Sequence, residues 1–441
     1  MNPTHQVVDE FGAVHALVKR LGVGGQGEVW LAAGGRRVVK LLNNGGNPES
    51  LRRQFAFVRR LDLHGIHVAK PIAVLKPPHV GYVADFLGEM VAIKSIMQAP
   101  SANLASWHIA SGGLRRRLRL LAHAGEALVA LHGRGVIYTD VSHNNVFISE
   151  PVGAAEAWLI DLDNLRYQSD PALNLYTPGY GAPEIVAGRA GCTSLSDAWA
   201  FAVLVWQALT LTHPFVGDLV TEGDPEVEEL AFAGGLPWVR HQADTRNACT
   251  SGLPPELVLA PRLVELARRT FEDGLSDRAK RPGIAEWVER LHAAADQAIL
   301  CPDCAATYFV TETACSWCDA ARPELATLRI TRWQPSHGRV EGSTRLGQFP
   351  VTRTPLKLPR RVTQGVPGVP GRELHVEFEL VAKGVRVRTA PGCGAWAASV
   401  SRDSERYPID ERGRVVPKDG WMVFFDNPDL PQRIAVIGRT Q

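Results

Sequence analysis

The sequence has no apolar run as long as the roughly 20 residues that a bilayer crossing requires; its longest, Ala198 to Leu211, is broken by Gln207. That stretch reads as a buried helix, and no membrane partner is expected. An excess of either charge is missing too, since 48 basic side chains stand against 46 acidic ones for a formal net charge of +2. The balance removes the electrostatic reason to expect a nucleic acid or an anionic surface as partner. The opening residues, M-N-P-T-H-Q-V-V-D-E, lack the basic segment and following apolar run that export would need, so a cytoplasmic protein is expected. Cysteine is sparse, seven in 441 residues, yet four of the seven fall into two C-x-x-C pairs. In a reducing compartment that pattern points to metal rather than to disulfides. No internal repeat is visible.

What is present describes a soluble chain of two or three domains, with 45% hydrophobic and 21% charged residues. Valine-rich runs separated by glycine turns occupy residues 11–95 and predict a stranded small lobe. One interruption, Pro48 to Leu63, carries Leu51, Phe55, Val58 and Leu61 at helical spacing and predicts a single helix against those strands. Residues 96–300 turn mainly helical, with L-R-L-L-A-H-A-G-E-A-L-V-A-L-H as the clearest amphipathic segment. The cysteine pairs fall in 301–320, and residues 321–371 read as linker-rich, the stretch from about Gly338 to Gly371 being dense in Pro, Gly, Thr and Arg. Residues 372–441 contain strand-like runs and predict a small all-β domain, so the whole chain is of the α+β class.

Asp140, Asn145 and Asp161 stand five and then sixteen positions apart in Y-T-D-V-S-H-N-N-V-F-I and L-I-D-L-D. Phosphoryl transfer from ATP to an alcohol needs an acid to take a hydroxyl proton, and an amide oxygen and a carboxylate to hold magnesium. G-V-G-G-Q-G places Gly22, Gly24 and Gly27 as G-x-G-x-x-G. Alone this is an ordinary glycine hairpin, but it lies between strand-like runs and does not open a helix. That favours a flap over a triphosphate rather than a dinucleotide fold. Lys40 closes a valine-rich strand thirteen residues after Gly27, where a buried lysine would need an anion.

With these residues in place, Gly22 to about Leu291 resembles the eukaryotic-type (Hanks-type) bacterial protein serine/threonine kinases. The resemblance implies a bilobal protein-kinase-like fold over residues 1–300. It makes Lys40 the phosphate-gripping lysine, Asp140 the catalytic acid, and Asn145 and Asp161 the magnesium ligands. T-P-G-Y-G-A-P-E supplies Ala182, Pro183 and Glu184, while Asp197, H-P-F at His213 to Phe215, and Arg281 match structural anchors of the family's large lobe. An adenine pocket would use Val29 and Val38 as its roof and the backbone of Asp85 and Leu87 at its edge.

The chain also departs from the family. Gln54 stands where the helix glutamate that pairs the lysine belongs, and Glu49 lies a turn or more too early. Tyr138 and Thr139 replace the His and Arg before the catalytic acid, Ser142 replaces a lysine, and Asp163 replaces the glycine of D-F-G. Without that arginine a phosphorylated activation segment lacks its counter-charge. The Ser, Thr and Tyr side chains from Ser169 to Tyr180 are therefore expected to be dispensable for basal turnover. Asp163 reads either as an extra metal ligand or as the cap of a turn. Two other functions stay open: a small-molecule kinase of the aminoglycoside-phosphotransferase kind, and a degenerate kinase acting as a nucleotide-binding scaffold.

Cys301, Cys304, Cys315 and Cys318 form two knuckles that can bring four thiolates to the corners of a tetrahedron, the geometry zinc prefers. A closed four-sulfur site leaves no position for chemistry, so a structural zinc ribbon is expected. Cys192, Cys249 and Cys393 read as free thiols. Trp396, Trp421, Phe424 and Phe425 in the β tail fill a core or line a peptide groove. The layout as a whole resembles bacterial signalling kinases with a protein substrate, working beside a protein phosphatase and an adhesion-type metal-binding domain protein. The implied cofactors are ATP, Mg2+ and Zn2+.

Overall fold

Because side chains alternate across a strand, the register of the valine-rich segments decides which residues can meet a ligand. A computed structural model describes residues 6–25, 27–43, 47–169, 175–337, 339–340, 346–401 and 405–438. In it β1 (Gln6–Val8), β2 (Val14–Gly24), β3 (Gly27–Ala32), β4 (Arg37–Leu42), β5 (Pro71–Val74) and β6 (Gly81–Asp85) form one antiparallel sheet in the order β1-β2-β3-β4-β6-β5. Val29 lies opposite Lys40 and Leu31 opposite Val38, while Lys40 lies opposite Tyr82 and Val38 opposite Ala84. Val29, Val38, Lys40, Tyr82 and Ala84 therefore share one face. Val39 and Val83 point the other way, into a core with Val7, Leu17, Ala32, Ala73 and Leu75.

Helix α1 (Pro48–Arg60) begins at Asn47, whose side chain accepts from the backbone N–H groups of Glu49 and Ser50, with Pro48 at its first position. It ends earlier than the apolar spacing suggests, because Leu61 turns extended. Phe55 is fully buried against Val74, Val80 and Tyr82, meeting the tyrosine ring edge-on at 5.1 Å. Burial of that phenyl ring contributes about 2–3 kcal/mol and docks the helix on the Lys40 face of the sheet.

The apolar run read as a buried helix spans Ser194–Thr210. Thr193 and Ser196 cap it reciprocally, and Leu211, in the left-handed conformation, stops it. Its side chains are buried nearly all round, which is why the segment shows no polar stripe. Among the described residues no helix is long and apolar enough to cross a membrane.

The chain divides into two compact units. Residues 1–98, 120–253 and 264–288 make the first, and residues 99–119, 254–263 and 289–441 the second. In the second unit the hairpin Ala298–Leu300 with Thr307–Phe309 leads into the cysteine knuckles. Beyond them a seven-stranded sheet and a four-stranded sheet share one core, to which Leu328, Ile330, Val423 and Ala435 contribute from the larger sheet and Val376, Phe378, Val385 and Val387 from the smaller.

The segment 321–371, read as linker-rich, differs from that expectation. It holds the strands Ala326–Gln334, Gly347–Val351 and Leu356–Pro359 and the helical turn Arg360–Thr363. Ala326–Gln334 lies between two neighbouring strands, with Leu328 and Ile330 facing the core, so its alternation is that of an interior strand. Proline and glycine lie mostly between these elements, with Pro350 the one inside a strand, and that density hid the strands from a composition-based reading. Phe424 and Phe425 are buried, whereas Trp396 remains 37% exposed.

Candidate active site and four-cysteine centre

Strands β2 and β3 meet in a hairpin in which Gly24 pairs with Gly27. The three glycines are not equivalent. A Cβ on Gly27 would sit 2.0 Å from the Leu41 carbonyl oxygen, so this glycine is required by the close approach of β4. A Cβ on Gly22 or Gly24 would meet nothing within 4 Å, leaving their open backbone available to a ligand. Gly27→Ala is expected to lower stability by about 1–3 kcal/mol, whereas Gly24→Ala should leave the melting temperature unchanged and weaken nucleotide binding. Thermal melts beside a fluorescent-nucleotide titration separate the two effects.

Lys40 is buried on the shared face of the sheet, and its ammonium contacts two carboxylates, Asp161 and Asp163, the latter at 2.6 Å. Burial alone would pull the Lys40 pKa down; the charges of Asp163 and then Asp161 outweigh it and hold the amine above its ordinary value. For Asp163 the balance runs the other way. Burial, and then the neighbouring Asp161 charge, push its carboxyl up to about 6 against the pull of Lys40. We take the charged pair as the resting state, because the short Nζ–Oδ2 contact is the one an ammonium makes with a carboxylate.

Asp161 has a left-handed backbone (φ 58°, ψ 58°) and opens a short 3-10 turn, Leu162–Asn164, anchored by the fully buried Leu162. That turn brings residues 161 and 163 to the same amine. Gln54, on helix α1, does not stand in for a carboxylate. Its amide donates to the Leu165 carbonyl at 2.6 Å.

The loop carrying Asp140 is held from below. Asp197, only 1% exposed, accepts from the backbone N–H groups of Tyr138 and Thr139 at 2.8 and 2.9 Å and contacts the His132 ring at 2.9 Å. Tyr138 is buried, and its hydroxyl donates to the carbonyl of Ile160, tying the loop to the residue before Asp161. Asn145 donates to the Asp140 carboxylate at 2.8 Å and to its carbonyl at 3.0 Å, and both bonds use the amide nitrogen, so among the described residues its amide oxygen is left over for a cation. With the carboxylate of Asp161 that is an all-oxygen donor set, the kind that suits magnesium.

Thr177 was not singled out from the sequence. Its hydroxyl donates to the other Asp140 oxygen at 2.6 Å, while Ser142, fully buried, leaves its hydroxyl without a hydrogen-bond partner among the described residues. Tyr180 donates to Gln207 at 2.5 Å and meets the His143 ring at 2.7 Å. Thr177 and Tyr180 therefore leave the set of dispensable hydroxyls, since they build the site itself. Residues 170–174 lie outside the described residues. The T-P-G-Y segment just before A-P-E was the available signal, but the contact joins positions 37 residues apart, beyond what local spacing reveals.

Glu184 and Arg281 form a two-pronged ion pair, both contacts 2.7 Å, with the guanidinium also donating to the Gly274 carbonyl and lying 4.8 Å from the Trp199 ring. Burial would raise the Glu184 carboxyl, but the hydrogen bonds and charge of Arg281 outweigh it and hold it below the usual value of 4.5. A depressed folded-state pKa contributes stability above pH 4.5 that is lost as pH falls through the lower folded value. Glu184→Gln leaves a fully buried guanidinium uncompensated. It is expected to destabilise by about 3 kcal/mol at neutral pH and to flatten the acid limb of the stability curve. Urea melts between pH 3 and 7 check both.

The described residues assigned to the adenine pocket are placed as the register demands. Val29 and Val38 lie on the Lys40 face, and Asp85 ends β6 and pairs with Arg37. Phe86 gives its N–H to the Arg36 carbonyl at 3.0 Å, so it is occupied, and the backbone of Asp85 and Leu87 remains the candidate edge.

In the second unit the sulfurs of Cys301, Cys304, Cys315 and Cys318 all lie within 4.8 Å of one another, with Cys301–Cys318 at 3.7 Å and Cys304–Cys315 at 3.6 Å. Four thiolates at 2.3 Å from a tetrahedral zinc would be about 3.8 Å apart. The two knuckles are built alike. Cys301 N–H donates to Ala306 and Cys315 N–H to Ala320, each at 2.8 Å, and the residue after each second cysteine, Ala305 and Asp319, has positive φ. No disulfide joins these cysteines. Trp317, inside the second knuckle, stacks on His108 at 4.6 Å.

Residues 17–231 match the protein kinase domain family. Serine/threonine-protein kinase pkn2 of Myxococcus xanthus is 28% identical over 298 residues, 64% of this chain and 32% of that protein. Serine/threonine-protein kinase Pkn1 of the same organism is 30% identical over 217 residues, 45% of this chain and 29% of that one. The DNA damage-responsive serine/threonine-protein kinase RqkA of Deinococcus radiodurans is 27% identical over 216 residues, 46% of this chain and 31% of its own length. The chain spans about a third of the length of these curated relatives. Residues 17–231 are thus similar in sequence to the protein kinase domain and to bacterial serine/threonine kinases, and the groups that meet around Lys40 and Asp140 are those the family's chemistry uses.

Proposed function

We propose that the protein transfers the terminal phosphoryl group of ATP to serine or threonine hydroxyls of proteins, in cytoplasmic signalling that a protein phosphatase reverses. The observation that carries this reading is the meeting of Lys40 with Asp161 next to an Asp140 already hydrogen-bonded by Asn145 and Thr177. In it Asp140 accepts or orients the proton of the attacking hydroxyl, and Lys40 with the open backbone of Gly22 and Gly24 fixes the triphosphate. Val29, Val38 and the backbone of Asp85 and Leu87 hold the base. Asn145 and Asp161 would hold magnesium, which supplies charge neutralisation on the phosphates. Positioning and electrostatics then carry most of the rate, because the loose transition state asks for little covalent chemistry.

Thr177 favours a polypeptide over a small molecule as substrate. It binds the catalytic acid from a turn that runs directly into Glu184 and its Arg281 partner, so a braced piece of chain lies beside Asp140, as a platform for a polypeptide would. The four cysteines are read as a structural zinc site. The test is radiolabelled ATP and magnesium with the purified protein, alone and with a protein mixture, against a panel of aminoglycosides and sugars. Label is expected on protein, and Asp140→Ala should abolish it. Label on the small molecules alone would overturn the substrate class, and equal labelling by Asp140→Ala would overturn the site.

A further inference from the structure

We propose that Asp163, rather than any residue of helix α1, is the standing anion that positions Lys40 for the triphosphate. The inference rests on the phosphoryl-transfer reading and adds to it a positioning residue. The Lys40 side chain is 10% exposed, and a buried ammonium keeps one geometry only if a fixed anion holds it. Two carboxylates touch it. Asp161 is 28% exposed and is the one assigned to a cation, so its charge is shared. Asp163 is 9% exposed and makes its 2.6 Å contact from the turn Leu162–Asn164.

Helix α1 offers no competitor. Gln54 is uncharged and spends its amide on the Leu165 carbonyl, and Glu49 is exposed in the first turn. The anchor of the lysine and the holder of the cation therefore ride on one short turn, residues 161–164, instead of on two separate elements. A consequence for regulation follows. Displacing helix α1 breaks the Gln54–Leu165 bond but leaves Lys40 paired, so withdrawal of the helix does not by itself disarm the lysine. The rival role for Asp163 is as a further cation ligand, for which its second oxygen, Oδ1, is buried without a hydrogen-bond partner among the described residues.

A double-mutant cycle separates the two. Lys40→Met, Asp163→Asn and the double variant are compared with the parent for the ATP KM, for binding of a fluorescent ADP analogue, and for the magnesium concentration giving half-maximal binding. Asp163→Asn is expected to weaken nucleotide binding about tenfold, to add little once Lys40 is gone, and to leave the magnesium midpoint within about twofold. Full additivity with Lys40→Met, or a midpoint moved about tenfold, overturns the proposal. Should Asp163→Asn fail to fold, Asp163→Glu keeps the charge but lengthens the reach. It is expected to lower kcat with the magnesium midpoint unmoved, and a moved midpoint overturns the proposal. A parent that binds no nucleotide overturns the underlying reading instead, and this inference with it.

Discussion

Asp161→Ala is expected to remove magnesium-dependent phosphoryl transfer, lowering turnover by at least about a thousandfold, while the chain stays folded. The expectation of a retained fold is structural. Asp161 is partly exposed and begins a turn pinned by Leu162, and Lys40 keeps Asp163 as partner when Asp161 is lost, so no buried charge is stranded. The expectation of lost activity follows from chemistry, since Asn145 alone is a single neutral donor and cannot hold a hydrated divalent cation against the triphosphate. Circular dichroism and a melting curve should match the parent within a few degrees while autophosphorylation at saturating magnesium disappears. Transfer at the parent rate would remove Asp161 from the site. Loss of both fold and activity would show the turn to be structural.

The legible part of this site was the part written in short spacings. Asp140, Asn145 and Asp161 are set by one loop and one strand end, and Glu184 by an eight-residue segment, so residue type and separation carry their arrangement. The contacts that escaped are long-range. The partner of Lys40 lies 123 residues away, and Asp163 looked like a turn cap or a metal ligand because a D-x-D string is compatible with each. Tyr138 read as a loss, a missing histidine. In the structure its hydroxyl reaches the Ile160 carbonyl and braces the loop against the strand that delivers Asp161. In the tail the Ala326–Gln334 strand alternates clearly, but proline and glycine on either side of it outweighed that pattern. Composition reports the connections of a β-sandwich as readily as it reports a linker, and only the register between sheets distinguishes them.

Removal of metal should undo the four-cysteine centre. The knuckles 301–320 bury little beyond Cys301, Ala306, Thr307, Tyr308, Phe309 and Cys315, too small a core to fold alone, so on the zinc reading the free energy of metal binding would be the free energy of local folding. Elemental analysis of the purified protein is expected to find about one zinc per chain. Acidification should release it as protons compete for the thiolates. Strong chelation, or Cys315→Ser at the buried ligand, should free all the remaining thiols to a thiol reagent and unstack Trp317 from His108, changing tryptophan emission. Ala305 and Asp319 sharpen the test, because both hold left-handed backbones that L-residues adopt at a cost of about 1–2 kcal/mol. Metal ligation would offset that strain, so the apo form should relax both turns and show fast amide exchange through residues 301–320. A chain purified without metal, with four reactive thiols and slow exchange across the knuckles, would sink the zinc assignment while leaving the kinase site untouched.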